Sequence, residues 1–248
     1  MARYRYDGSF EGFLCAVAGC LEQGDRQPEF VLRGSDVEAG LFADAIIDVD
    51  TVRNAALAFR KRFVERVSRH SFATARYAWH SRKPGIELLV WRYLQTGLEQ
   101  GSMLERMLTV EPVYSVNLIA RQVSHEAHKF KGFVRFSEVD GGFLYARIEP
   151  DSDILALIAP HFAERVGDTP WVIHDLRRSS AAVYDLQSWR LVAGVELAEE
   201  PGYTSAEHDY AALWRRYFQH HAIAGRHNPK LQQKHVPLRV RKHLTEFE

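Results

Sequence analysis

Residues 130–148, FKGFVRFSEVDGGFLYARI, decide the fold, because the apolar pattern changes there from a helical to an alternating period. Apolar residues alternate with other residues on both sides of residues 140–142, DGG, and this alternation predicts a β-hairpin. A three-residue loop at DGG pairs Phe136 with Ala146 and places every aliphatic side chain on one face, whereas a two-residue loop mixes the faces. We therefore predict the three-residue loop.

The opposite face of this hairpin is predicted to be basic and aromatic. Its residues are Lys131, Phe133, Arg135, Tyr145 and Arg147. Arg135 lies directly across from Arg147, and like charges in that position destabilise a sheet unless both reach water or an anion lies between them. Basic side chains interleaved with aromatic ones suit unpaired bases, although a second protein layer could cover the face equally well. We predict Arg135, Tyr145 and Arg147 as a secondary nucleic-acid-binding surface.

The elements after the hairpin predict an α+β fold with a mostly antiparallel sheet. A short helix is expected at residues 152–158, with Asp151 or Ser152 as its cap, and Pro160 should kink or split it from residues 161–166. Strands are expected at residues 171–174, 181–184 and 189–192, which completes the order β-β-α-β-β-β. An amphipathic helix from about Ser205 leads into a basic tail, and the apolar side chains of this region predict that it is docked.

The N-terminal half is predicted to be mainly helical. Short strands are expected at residues 4–6 and 29–32, and Ser9 is the expected cap of the first helix. Asp50 is the expected cap of a longer helix that runs to about His70. We divide the chain into a helical lobe, residues 1–110, and an α+β lobe, residues 111–248, with one continuous domain as the alternative.

The composition is ordinary for a soluble globular protein, with 32 Lys and Arg against 32 Asp and Glu in 248 residues. The N-terminus lacks the apolar core of a signal peptide, and no window of about 18 apolar residues predicts a membrane span. Cys15 and Cys20 lie five apart, which matches neither a redox pair nor a zinc half-site. We expect a cytoplasmic protein that does not partner a membrane and that needs no cofactor.

The segment from Tyr210 to Thr245 is the best candidate surface for a polyanion, because it contains no Asp or Glu. Its eight cationic residues are Arg215, Arg216, Arg226, Lys230, Lys234, Arg239, Arg241 and Lys242. Such clusters gain affinity for phosphates by releasing counterions, and the alternative is a plain basic surface. Asn228-Pro229 predicts a helix start, whose N–H groups beside Arg226 and Lys230 could bind phosphate. We predict that Arg226, Asn228, Lys230 and Arg239 contact phosphates.

Candidate catalytic groups are few. His125 and His128 have a helical spacing that can bring two imidazoles to one metal ion, but no spacing identifies a third ligand. The acidic cluster Glu149, Asp151 and Asp153 could hold Mg²⁺ in a nuclease-like site, or it could serve a helix terminus. A P-loop, a nucleotide-binding glycine motif and a hydrolase serine motif are missing from the sequence. His128, Glu149 and Asp151 stay weak catalytic candidates, and His125 and His128 weak metal candidates.

Five separate motifs resemble a bacterial family that is assigned to DNA metabolism or DNA repair and whose activity is uncharacterised. They are YDGSFEG at residues 6–12, HKFKGFVRF at 128–136, IEPD at 148–151, APHF at 159–162, and NPKLQ at 228–232 with PLR at 237–239. The resemblance extends from Tyr6 to Phe247. It implies an accessory role on DNA beside a radical SAM repair or modification protein. In some members a related region precedes a uracil-DNA glycosylase-like domain, and this chain resembles the stand-alone form.

The leading hypothesis is a DNA-associated accessory protein that acts with a radical SAM enzyme and binds phosphates through its basic C-terminal surface. One alternative is a metal-dependent nuclease or base-processing hydrolase that uses His125, His128 and the Glu149 to Asp153 cluster. Another is a protein-only adaptor whose basic surface meets the partner enzyme.

Overall fold

The computed structural model describes residues 2–34, 46–196, 201–221, 225 and 228–247. The chain divides into two compact units, Met1–Ser124 and His125–Glu248. The division falls within helix α5, Val113–Phe133, whereas the sequence analysis placed it before that helix, at residue 110. Among the described helices, none combines the length and the apolarity that a bilayer span requires.

The first unit combines a small parallel sheet with helices. Its strands β1, β2 and β3 lie in the order β2-β1-β3, and both pairings are parallel. The bounds are β1 Arg3–Tyr6, α1 Phe10–Gln23, β2 Glu29–Leu32, β3 Ile46–Asp48, α2 Arg53–Arg66, α3 Arg69–Trp79 and α4 Ile86–Gln100, followed by a 3₁₀ turn, Gly101–Arg106. Tyr6, Phe13, Phe63 and Trp79 are among the fully buried side chains of its core. The helical character of this half is confirmed, although β3 was not predicted.

The helix starts in the first unit test two capping predictions. Ser9 caps α1 as predicted, because its hydroxyl accepts from the Gly12 N–H at 2.9 Å. The Asp50 cap was wrong: α2 begins at Arg53, and Asp50 pairs with Arg33 instead, at 3.2 Å. The single long helix was also wrong, since α2 ends at Arg66 and Ser68 caps a separate helix, α3.

The second unit is built on a five-stranded sheet in the order β4-β5-β6-β7-β8. The bounds are β4 Ser137–Val139, β5 Phe143–Ile148, α6 Leu155–Arg165, β6 Trp171–Asp175, β7 Ser180–Tyr184, β8 Trp189–Ala193, α7 Ser205–His221, α8 Pro229–His235 and α9 Leu238–Arg241, followed by a 3₁₀ turn, Thr245–Phe247. Three of the four strand pairings are antiparallel, and β5–β6 is parallel across the α6 connection. The α+β class and the strand order are therefore confirmed.

The hairpin has the predicted register but shorter arms. Ser137 pairs with Tyr145 and Val139 with Phe143, which leaves the predicted three-residue loop between them. Gly141 and Gly142 both have positive φ, a conformation that glycine adopts without strain. The predicted start of the alternating segment was wrong, because α5 continues to Phe133. Arg135 precedes β4 and does not pair with Arg147 in the sheet.

Pro160 neither splits nor ends α6, which runs without interruption from Leu155 to Arg165. The predicted break was wrong because buried Ile158, Ala159 and Phe162 hold the helix in place around the proline. The predicted cap was also wrong: Ile154 occupies the N-cap position and makes no side-chain cap bond.

The two faces of the sheet have different neighbours. Phe162 of α6 contacts the ring of Trp171, and Trp171 is aligned with Leu144, so α6 covers the face that holds Leu144, Ala146 and Ile148. Tyr145, Arg147 and His174 alternate with those residues and point to the opposite face. This opposite face carries the candidate site.

Candidate functional site

A cavity of ≈ 210 Å³ opens over the Tyr145 face of the second unit. At ~30 Å³ for each water molecule, it has room for a phosphate group. We call it the cationic cavity. Its lining residues are Arg135, Ser137, Tyr145, Arg147, Tyr203, Glu207, His208, Ala211, Arg215, His243 and Thr245.

Three arginines from three separate segments meet in the cationic cavity. Arg135 follows α5, Arg147 lies on β5, and Arg215 lies on α7. The lining contains one carboxylate, Glu207, and that group also accepts a hydrogen bond from the backbone N–H of Glu138 at 3.0 Å. The guanidinium groups therefore outnumber the carboxylate in the lining.

Arg135 is held by groups on two sides. Its Nη1 donates to the carbonyl of Gly132 near the end of α5 at 2.7 Å, and its Nη2 donates to Glu246 at 2.8 Å. Burial raises the pKa of the Glu246 carboxyl, but the hydrogen bonds that it accepts, above all from Arg135, outweigh burial and lower the pKa overall. Glu246 is thus an anion of the chain itself, placed against one arginine of the cationic cavity.

Glu246 also fixes an aromatic side chain of α7. The Trp214 Nε1–H donates to Glu246 Oε2 at 3.1 Å, while Arg135 Nε donates to the same oxygen at 3.3 Å. One carboxylate therefore orients both an arginine of the cationic cavity and an indole on α7.

Tyr145 is oriented by a buried histidine. His174 Nε2 lies 3.2 Å from the carbonyl oxygen of Val195, which can only accept, so Nε2 carries the proton. Burial lowers the pKa of His174 and keeps the ring neutral, so its Nδ1 accepts from the Tyr145 hydroxyl at 2.8 Å. This pair holds the Tyr145 side chain in the wall of the cationic cavity.

The acidic cluster holds the C-terminal segment. Glu149 pairs with Lys242 at 2.6 Å and with His243 at 3.1 Å. The hydrogen bond from Lys242 lowers the pKa of the Glu149 carboxyl, and this effect exceeds the opposing effect of burial. Burial in turn lowers the pKa of His243 more than Glu149 raises it. His243 thereby enters the lining of the cationic cavity.

Asp151 is also engaged by cations. It pairs with Arg177 at 2.8 Å and with Arg239 at 2.5 Å. Burial raises the pKa of Asp151, but the hydrogen bonds from the two arginines outweigh it and lower the pKa overall. The predicted phosphate contact Arg239 therefore lies against a carboxylate of its own chain.

The predicted phosphate contacts lie in different places. Arg135, Tyr145 and Arg147 meet in the cationic cavity, although Arg135 and Arg147 are not strand partners. Asn228 caps α8 as predicted, by accepting from the Leu231 N–H at 3.0 Å, and Lys230 is exposed in its first turn. Arg226 lies outside the described residues.

The candidate metal ligands do not converge. His125 and His128 are both exposed on α5, and the described residues contain no group of three His, Cys, Asp or Glu side chains that could hold a metal ion. Glu126, between them, accepts from the backbone N–H groups of Asp151 and Ser152 at 2.7 and 2.9 Å. It therefore holds the loop before α6, in the region where the sequence analysis expected Asp151 or Ser152 to cap the helix.

Sequence reasoning missed the contribution of α7 to the site. His208, Ala211 and Arg215 recur at helical spacing and line the cationic cavity. The analysis followed the aromatic residues of this helix and expected them to be docked. They are exposed instead, and none of the residues of α7, all of which are described, is buried. The same helical period, applied to the polar residues, would have found the lining.

Comparison with known proteins identifies a family. A family model described as a domain of unknown function, DUF4130, matches residues 84–246, which is more than half of the chain. A search of curated proteins found none that matches. The family description assigns no function, so the links to DNA repair, to a radical SAM protein and to uracil-DNA glycosylase-like domains stay predictions.

Proposed function

We propose that this chain, which belongs to the DUF4130 family, is a cytoplasmic accessory protein of DNA repair or modification that binds nucleic-acid phosphate in the cationic cavity. The observation that supports this most is the convergence of Arg135, Arg147 and Arg215 on one small cavity. Arginine is suited to this task because its planar guanidinium bonds two phosphate oxygens at once.

The charge balance of the cationic cavity favours an anionic ligand. Guanidinium groups brought close together repel each other, and a bound anion relieves that repulsion. Glu246 already meets this need for Arg135. Arg147 and Arg215 lie in the same wall, with Glu207 as the carboxylate of the lining. A phosphate between these side chains would add negative charge where the lining has an excess of positive charge.

The basic C-terminal segment has a narrower role in this proposal than its composition indicates. Lys242 and Arg239 are paired with Glu149 and Asp151, so part of their charge is used within the second unit. Lys230 and Lys234 are exposed, and the described residues show no ion pair for either. We assign these two lysines to sequence-independent contacts with the backbone beside the cationic cavity.

The radical SAM enzyme is the proposed partner, and it rests on the family resemblance of the sequence. The nuclease alternative gains no support from the described residues, because the acidic cluster is engaged by cations and His125 and His128 have no third ligand there. The protein-only adaptor is the competing outcome of the binding experiment that follows.

The test is fluorescence anisotropy with a labelled duplex across a salt series. Arg147→Gln is compared with Arg190→Gln, a matched change on an exposed arginine of β8 that does not line the cationic cavity. For the first variant we expect weaker binding and a salt slope that is smaller by about 0.9, the value for one lost phosphate contact. The second variant should bind as the unchanged protein does.

Two results count against the proposal. If both variants keep the original slope, the phosphate is not bound in the cationic cavity. If no DNA binds even at low salt, and the partner enzyme is retained on the immobilised chain, the adaptor function replaces DNA binding.

A further inference from the structure

Helix α7 carries a row of stacked aromatic rings on its exposed surface. Trp214 and Tyr217 have ring centroids 5.7 Å apart with an interplanar angle of 21°, and Tyr217 and His221 are 4.0 Å apart at 29°. We call these three side chains the stacking row. Trp214 is 41% exposed and Tyr217 52% exposed, so the rings remain accessible.

Exposure of this size on one helix is unusual. Tyr210, Leu213 and Phe218 are also exposed on α7, and large contiguous apolar patches on soluble proteins generally mark binding sites. A helix that was simply packed on the sheet would turn this surface inward. In α7 the residues that face the sheet are those that line the cationic cavity, and the aromatic rings face outward.

The charge around the stacking row determines which partner fits it. Arg215 and Arg216 lie between Trp214 and Tyr217 in the sequence, and the segment from Tyr210 to Thr245 contains no Asp or Glu. An apolar protein helix would leave these cations without partners. A nucleic acid offers both flat base surfaces for the rings and phosphates for the arginines.

The stacking row is adjacent to the proposed phosphate site. Trp214 is held by Glu246, which also holds Arg135 of the cationic cavity. Arg215, the next residue after Trp214, lines the cationic cavity itself. A base that stacks at the Trp214 end of the row can therefore belong to the same strand as a phosphate in the cavity.

We propose that the stacking row is a platform for unpaired bases, so that the protein prefers single-stranded nucleic acid. This inference rests on the proposed phosphate binding and adds the substrate class to it. A duplex cannot use the row, because its bases are stacked on each other and must be extruded before a side chain can stack on them. Glu246 fixes the indole before the strand arrives, which lowers the entropy that binding must overcome.

The experiment compares three ligands of equal length: a single-stranded oligothymidylate, an abasic strand with the same number of phosphates, and a duplex. The abasic strand keeps the charge and removes the bases. Base stacking on one aromatic ring contributes about 1–3 kcal/mol, so we expect the oligothymidylate to bind about 5- to 150-fold more tightly than the abasic strand.

Tyr217→Leu is the variant that tests the platform, because leucine keeps an apolar side chain and removes the ring. Tyr210→Leu is the matched control, since Tyr210 is an exposed aromatic of the same helix outside the stacking row. We expect Tyr217→Leu to lose most of the preference for the oligothymidylate over the abasic strand. Its affinity for the abasic strand and the duplex should stay unchanged, which also shows that the variant is folded.

The outcomes separate this inference from the proposed function. Equal binding of the three ligands, or an unchanged preference in Tyr217→Leu, would overturn the platform and leave phosphate binding standing. Failure of every ligand to bind would overturn both, and the exposed surface of α7 would then be a protein-docking surface.

Discussion

Replacing Glu246 by glutamine removes the internal anion of the cationic cavity and keeps the shape of the side chain. Glu246 is 7% exposed and Arg135 is 31% exposed, so water screens their pair only in part. A hydrogen bond to a charged group contributes about 1.5–3 kcal/mol. Glutamine retains an acceptor oxygen for Arg135 or Trp214, and the exposure of Arg135 reduces the loss further. We expect the free energy of unfolding to fall by about 1.5 kcal/mol.

The same change should strengthen phosphate binding. A unit charge at about 4 Å contributes about 4 kcal/mol at an effective dielectric constant of 20. A phosphate in an open cavity experiences only part of this repulsion from Glu246. We therefore expect Glu246→Gln to bind inorganic phosphate about tenfold more tightly, which corresponds to about 1.4 kcal/mol.

Two assays measure these opposite effects on one protein. Urea denaturation gives the free energy of unfolding, and the rise in thermal midpoint with added phosphate gives the affinity. Glu196→Gln is the control, because Glu196 is an exposed acid of the second unit that does not line the cationic cavity. A Glu246→Gln protein that loses stability but responds to phosphate as the control does would refute the idea that Glu246 competes with the ligand.

The pH dependence of this effect follows from the lowered pKa of Glu246. In the folded state the carboxyl holds its proton less tightly than in the unfolded chain, so the unfolded state binds more protons in the acid range. The stability from Glu246 is therefore fully present above the ordinary pKa of a glutamate. It is lost as the pH falls through the lowered pKa, and the difference in stability between the unchanged protein and Glu246→Gln should shrink over that range.

Two further predictions concern stability and use urea denaturation. Pro160→Ala restores the backbone N–H that the interior of α6 lacks at an exposed position, so we expect a gain of up to about 3 kcal/mol, and a loss would contradict this account. Gly142→Ala should cost about 1–2 kcal/mol because Gly142 has a φ of +76°, whereas Gly19→Ala within α1, where no atom lies within 4 Å of an added Cβ, should add about 0.5–1 kcal/mol. Changes of the same sign in the two glycine variants would show that backbone conformation does not decide the result.

The hairpin shows how far local sequence determines this fold. Its register followed from residues 140–142, because a turn and an alternating face constrain the pairing without help from distant residues. The start of the hairpin could not be found in the same way. Phe130, Phe133 and Val134 fit a helical spacing as well as an alternating one, and in the structure the helix extends through Phe133.

The site depended on contacts that local patterns do not contain. Arg147 and Tyr145 were predicted to share a face because strand alternation requires it. The pair of Glu149 with His243 joins residues 94 positions apart, and no local period connects them. Opposite charges could pair in many other ways along this chain, which has equal numbers of acidic and basic residues. For this reason the sequence presented the C-terminal cations as an open surface, although Arg239 and Lys242 are paired.

Glu246 connects the two proposed binding sites physically. It accepts hydrogen bonds from Arg135 in the cationic cavity and from Trp214 in the stacking row. A phosphate that takes the place of Glu246 on Arg135 also removes an acceptor from the indole, so phosphate binding alters the support of the platform. Coupling between two sites is reciprocal, and a base stacked on Trp214 must change the affinity for phosphate by the same factor. A strand that fills both sites therefore binds with an affinity that the separate affinities for base and phosphate do not determine.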